Sequence, residues 1–173
     1  MMRSRMFVLS WISCLALWIT GCAGYRLGPT SGVAAGSKTV QVNFFRNETP
    51  EPRLIEAVGN SLRRTLQQEG TFRLNTHGSG DVVLDGVITE FRREELSFQP
   101  KDVITVRDYA LHLGVQVKAV ERGTDKVLLE RLIWGRTTIR AGGDLPSAER
   151  QALPLLAEDF AKKVTALLVD GAW

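Results

Sequence analysis

The chain has 173 residues, with 22 basic and 19 acidic side chains, two histidines and two cysteines. That length suits a single domain able to bury about two-thirds of its unfolded surface. So few soft ligands argue against a zinc centre, and a formal charge of +3 is too small to argue for nucleic acid; any anion site must come from local clustering.

Arg3 and Arg5 precede an apolar run from Met6 to Ile19. A helix over that run rises about 21 Å, short of the roughly 30 Å hydrocarbon core of a bilayer, so it reads as a signal peptide and not a membrane span. The run ends at Ile19-Thr20-Gly21-Cys22, an aliphatic residue, two small ones and a cysteine. This resembles a bacterial lipoprotein box. The expectation is that Cys22 is alkylated with diacylglycerol, the signal 1–21 is cut away before it, and further acylation such as palmitate completes the anchor. An ordinary signal peptide that happens to contain a cysteine is the alternative. Loss of Arg3 and Arg5 leaves 20 basic against 19 acidic residues, a nearly neutral mature chain. Cys14 departs with the signal and Cys22 is acylated, so no disulfide is available and the core alone must hold the domain.

Residues 22–37 are rich in Gly, Ala and Ser and read as a tether between the lipid and a single domain, 38–173. Lys38 to Phe45 has Val40, Val42 and Phe44 on one side and predicts strand one. Thr49 is placed to cap a helix with Pro50 in its first turn. That helix is expected from about Pro52 to Gln68, with Leu54, Ile55, Val58, Leu62 and Leu66 on its apolar face and a stop at Gly70. Thr71 to Leu74 is a short candidate strand, and Thr76 to Gly80 a turn.

Three longer strands follow. Asp81 to Phe91 is apolar on both sides at its start, as in a central strand. Val103 to Val120 alternates cleanly, with Tyr109, Leu111, Leu113, Val115 and Val117 opposite Asp108, His112, Gln116 and Lys118. A turn at Arg122-Gly123-Thr124-Asp125, with Gly123 able to take positive φ, leads back into Val127 to Ile139. The last helix carries Leu153, Leu156, Ala157, Phe160, Val164, Leu167 and Leu168 as its apolar stripe, and should begin near Pro154 because proline disrupts a helix interior. The order β–α–β–β–β–α with one-faced helices predicts an α+β two-layer sandwich, two helices packed on one face of a roughly four-stranded mixed sheet.

Gly21-Cys22-Ala23-Gly24-Tyr25 with Leu27, then Val40-x-Val42-x-Phe44-x-Arg46-Asn47-x-Thr49, then Asp81-x-Val83-Leu84-x-Gly86-x-Ile88-Thr89 before a long hairpin, resembles the LptE-like outer-membrane lipopolysaccharide-assembly lipoproteins of Gram-negative bacteria. The resemblance implies a domain anchored to the outer membrane on its periplasmic side. It implies a non-enzymatic plug and assembly partner of a β-barrel lipopolysaccharide translocon (LptD-like). A peptidoglycan-synthase regulator or a secretion-pore subunit is the alternative for a lipoprotein of this layout. No cofactor is implied, and no motif supplies a nucleophile with its base.

Basic residues cluster near strand ends: Arg92 and Arg93, Lys101 and Arg107, Arg136 and Arg140. Arginine forks suit phosphate, so this group is the candidate contact for lipopolysaccharide. Each is equally compatible with an ordinary solvated position among Glu90, Glu94, Glu95 and Asp102. Trp134 and Phe98 are candidate interface anchors, with a place in the core as the alternative for Trp134.

Overall fold

The computed structural model describes residues 36–100, 102–141 and 144–170. The signal, Cys22, the tether up to residue 35, Lys101 and residues 171–173 lie outside the described residues. The elements are β1 (Lys38–Val42), β2 (Arg46–Asn47), α1 (Leu54–Glu69), β3 (Phe72–Leu74), β4 (Val82–Gln99), β5 (Asp102–Glu121), β6 (Lys126–Arg140) and α2 (Leu145–Asp170).

The strands form one mixed sheet in the order β3-β1-β4-β5-β6, with β2 also paired to β4. β1 runs parallel to β3 and β4, β2 runs parallel to β4, and β4, β5 and β6 are antiparallel. The class is the expected one, but the sheet has six strands and not four. The additional pieces are β2 and β3, of two and three residues; β3 matches the short candidate strand at Thr71 to Leu74, whereas β2 is too short to leave a periodic trace in a sequence.

Both helices pack on the same face. Leu54, Val58, Leu62 and Leu66 of α1 and Leu153, Leu156, Phe160 and Val164 of α2 are buried with Val40, Leu84, Ile88, Leu113, Val115 and Ile133 in one core. Full burial of such side chains contributes about 1.5–3 kcal/mol each, and this is what makes the helices stay. Strand β1 stops before Phe45, which turns inward over Gly86 and fills the space that a Cβ there would occupy.

Four local expectations are corrected. Thr49 does not cap α1: Arg53 precedes the helix with no side-chain cap. Thr49 instead donates its N–H and Oγ1 to Asn47 Oδ1 at 3.0 and 2.8 Å, closing a turn. Helix α2 is continuous through Pro154. The proline is on the exposed side, so the carbonyl left without its helical donor faces water. Its start is fixed by Asp144, whose Oδ1 accepts from Ser147 N at 3.2 Å. In the β5–β6 turn the residue with positive φ is Asp125, at 54°, and not Gly123; aspartate tolerates the left-handed region better than most side chains. Finally, β4 continues past Phe91 to Gln99, and with β5 it runs beyond the end of β6 as a two-stranded arm.

Two features of β4 and β6 set the faces. Thr89 is an extra residue between the pairs Ile88–Val115 and Glu90–Gly114. This bulge moves Phe91, Arg93 and Glu95 to the helix-covered side and turns Glu90, Arg92 and Glu94 to the open side. On β6, α2 crosses so closely that a Cβ on Gly135 would lie 2.8 Å from Leu156 O and 2.9 Å from Phe160 Cβ. There Asp159 Oδ2 accepts from Arg136 N at 2.8 Å and Lys163 Nζ donates to Trp134 O at 2.9 Å, occupying outward backbone groups of the edge strand. Lower on the same edge Leu128 is a second extra residue, between Leu129–Ala119 and Val127–Val120.

Candidate functional site: the open face of the long hairpin

Cross-strand register places side chains of β4, β5 and β6 in rows on the face away from the helices. The rows are Glu90–Gly114–Trp134, Arg92–His112–Arg136, Glu94–Ala110–Thr138 and Ser97–Asp108–Arg140. Directly opposite side chains in such rows have Cβ atoms about 4.5–5.5 Å apart. Arg92 and Arg136 therefore flank His112 in a single row, an arrangement that the linear sequence, with 43 residues between the two arginines, does not announce.

Arg92 is held by two neighbours. Its Nη1 lies 3.2 Å from Glu90 Oε1 and its guanidinium carbon 5.2 Å from the centre of the Trp134 ring. Gly114 makes room for that ring, since a Cβ there would approach it to 3.1 Å. Trp134 is consequently an open-face residue and not a core ring. His112, only 14% exposed in its side chain, places Nε2 2.9 Å from Glu94 Oε2. The Arg136 guanidinium has no hydrogen bond or ion pair among the described residues, and its charge is the one in the row left uncommitted.

The other predicted contacts are dispersed. Arg93, on the helix-covered side, pairs with Glu149 of α2 at 3.1 Å. Arg107 and Arg140 both hold Asp108, at 2.8 and 3.2 Å. Lys101 lies outside the described residues. Phe98 is exposed on the arm.

Sequence reading missed the cluster around Asp108. Its Oδ2 accepts from Ser97 Oγ and Arg107 Nε, and Oδ1 from Arg140 Nε. The Ser97 hydrogen bond, with those from Arg107 and Arg140, holds the Asp108 carboxyl down at about 2. The signal that could have found it is the hairpin register, but extra residues at Thr89, Leu96 and Arg107 break any constant pairing rule along the two strands. Arg92, Arg93, Arg107 and Arg140 are each paired to a carboxylate, and among the described residues of the group the Arg136 guanidinium is the one open to an anion.

Comparison with solved structures agrees with this architecture. Protein XCC0632 from Xanthomonas campestris is similar at 13% identity over 84% of this chain and 92% of that one, with a TM-score of 0.58. A hypothetical protein from Chlamydia trachomatis is similar at 12% identity over 75% and 94%, with a TM-score of 0.53. A minor lipoprotein from Acinetobacter baumannii is similar at 14% identity over 76% and 92%, with a TM-score of 0.50. At such identities the likeness is one of fold. No curated protein sequence matches the chain. The family model LptE, lipopolysaccharide-assembly, matches residues 37–168, nearly all of the folded region described above. With the helix-backed sheet and its long hairpin in place, the chain belongs to the LptE family of lipopolysaccharide-assembly proteins.

Proposed function

We propose that this LptE-family protein is an outer-membrane lipoprotein, acylated on Cys22 after removal of residues 1–21 and tethered through residues 22–37. Its domain serves as plug and assembly partner of a β-barrel lipopolysaccharide translocon of the LptD type, facing the periplasm, and acts by binding and not by catalysis. Family membership supports the process. The observation that carries the site is the Arg92–His112–Arg136 row on the face the helices leave open, with Arg136 uncommitted. A phosphorylated glycolipid carries closely spaced anionic groups, and guanidinium groups carried on two strands either side of β5 meet them without the entropic cost of ordering a loop.

The test combines two measurements on the full chain in its own membrane. Arg92→Glu with Arg136→Glu should weaken co-purification of lipopolysaccharide about tenfold, the scale of lost charge-assisted hydrogen bonds, with a larger effect at low salt, where phosphate contacts are least screened. The same variant should still co-purify with the barrel. Equal glycolipid recovery with and without the two charges would refute the contact assignment. Unchanged surface lipopolysaccharide and barrel level on depletion of the protein would refute the role.

A further inference from the structure

Where the arm meets the three-stranded face, a cavity of about 440 Å3 is lined by Leu96, Ser97, Asp108, Thr138, Ile139 and Arg140. That volume falls within the roughly 300–1,000 Å3 of small-molecule sites. The cavity exists because Leu96 is an extra residue between the pairs Glu95–Tyr109 and Ser97–Asp108. The bulge turns Leu96 out of strict alternation, so that Leu96 and Ser97 line the same hollow. Leu96 is left 43% exposed, an aliphatic wall on a face otherwise dominated by charge. Bulges that re-aim a side chain recur beside functional sites.

Three polar groups of the lining, Ser97, Asp108 and Arg140, are already matched to one another. Asp108 is engaged by Ser97, Arg107 and Arg140, which leaves the hollow better suited to hydrocarbon than to a hydrogen-bonding ligand. Arg136 lies two residues from Thr138 along β6 on the same face, a step of about 7 Å. A ligand filling the cavity is thus brought beside the uncommitted guanidinium.

We infer that the cavity beside Leu96 receives one acyl chain of the anionic glycolipid while its phosphate reaches Arg136, so that the face recognises an amphiphile and not a phosphate alone. This rests on the reading of the open face as a lipopolysaccharide site. Charge complementarity at Arg136 and the aliphatic wall of Leu96 two rows further along the same face select an acylated anion over a polypeptide segment.

The experiment uses the full chain in membrane vesicles, with intact lipopolysaccharide and a base-deacylated form that keeps its phosphates as the two probes. The deacylated form should compete about a hundredfold less well, because it lacks the methylenes that pack against Leu96. Leu96→Asp and the cavity-filling Thr138→Phe should each lower retention of the intact form about tenfold and leave the weak retention of the deacylated form unchanged. A diazirine analogue of leucine at position 96 should cross-link to the acyl portion. Equal competition by the deacylated form, insensitivity to both cavity variants, or cross-linking only to polypeptide overturns the inference. If Arg136→Glu still lowers retention in that case, the glycolipid reading itself stands; if it does not, both fall.

Discussion

Substitution of Gly135 by alanine tests the close crossing of α2 over β6. A Cβ at this position would sit 2.8 Å from the Leu156 carbonyl oxygen, 2.9 Å from Phe160 Cβ and 3.4 Å from Phe160 N. These atoms belong to the backbone or are rigidly attached to it, so no rotamer change relieves the contact and α2 must move as a body. It is not free to do so, because Asp159 and Lys163 bind backbone groups of Arg136 and Trp134 on either side, and Leu156 and Phe160 are fully buried. Overpacking of this kind costs about 1–3 kcal/mol, offset by roughly 0.4–1 kcal/mol gained by restricting the unfolded chain. The net is a loss of about 1–2 kcal/mol, or on the order of 3–8 °C in Tm for a domain of this size. Thermal or urea denaturation followed by circular dichroism reads it directly. Gly123→Ala is the control: nothing lies within 4 Å of its Cβ position, and the change should be close to neutral. If Gly135→Ala matches the wild type, or if Gly123→Ala is equally damaging, the close-packed account of the α2–β6 crossing is wrong.

Leu62→Ala empties a fully buried site between the helices and the sheet and should cost about 2–5 kcal/mol in urea unfolding; a loss below about 1 kcal/mol would mean the site collapses or was never packed. The Asp108 carboxyl, held down at about 2 by Ser97, Arg107 and Arg140, contributes stability that is present above the ordinary carboxylate range and is lost as pH falls from about 4 through about 2. Carbon-13 NMR of this carboxyl should show a midpoint near 2, and Asp108→Asn should flatten stability across that acid window; a midpoint near 4 would contradict the cluster. Cys22→Ala should abolish palmitate labelling and leave an uncut or soluble species, and unchanged labelling with membrane retention would remove the lipoprotein assignment.

Much of the architecture was legible because it follows from periodicity. Leu54, Val58, Leu62 and Leu66 recur at helical spacing, and Leu111 to Val117 alternate, since burial on one face leaves little freedom for either pattern. What escaped was set by geometry that costs a single residue. The bulge at Thr89 decides that Arg92 and not Arg93 faces outward, and no residue type marks it. The segment from Arg92 to Gln99 did not read as strand because most of it is exposed; pairing with β5 holds it, not burial. Pro154 was misjudged because a proline's damage depends on which side of the helix its unpaired carbonyl faces. The arginine row and the Asp108 cluster arise only once three strands are in register, so the residues could be nominated from sequence and their grouping could not.

The seal that α2 places on β6 also matters for crowding. Lipid-anchored proteins are confined to a plane, where encounters between copies are far more frequent than the bulk concentration implies. A long hairpin with bare outer backbone would invite sheet-to-sheet joining under those conditions. Here the upper part of that outer strand is occupied by Asp159 and Lys163, the lower part is distorted by the extra residue Leu128, and the opposite edge of the sheet is the three-residue β3. Copies held side by side by the proposed Cys22 anchor would therefore collide through their sheet edges without annealing.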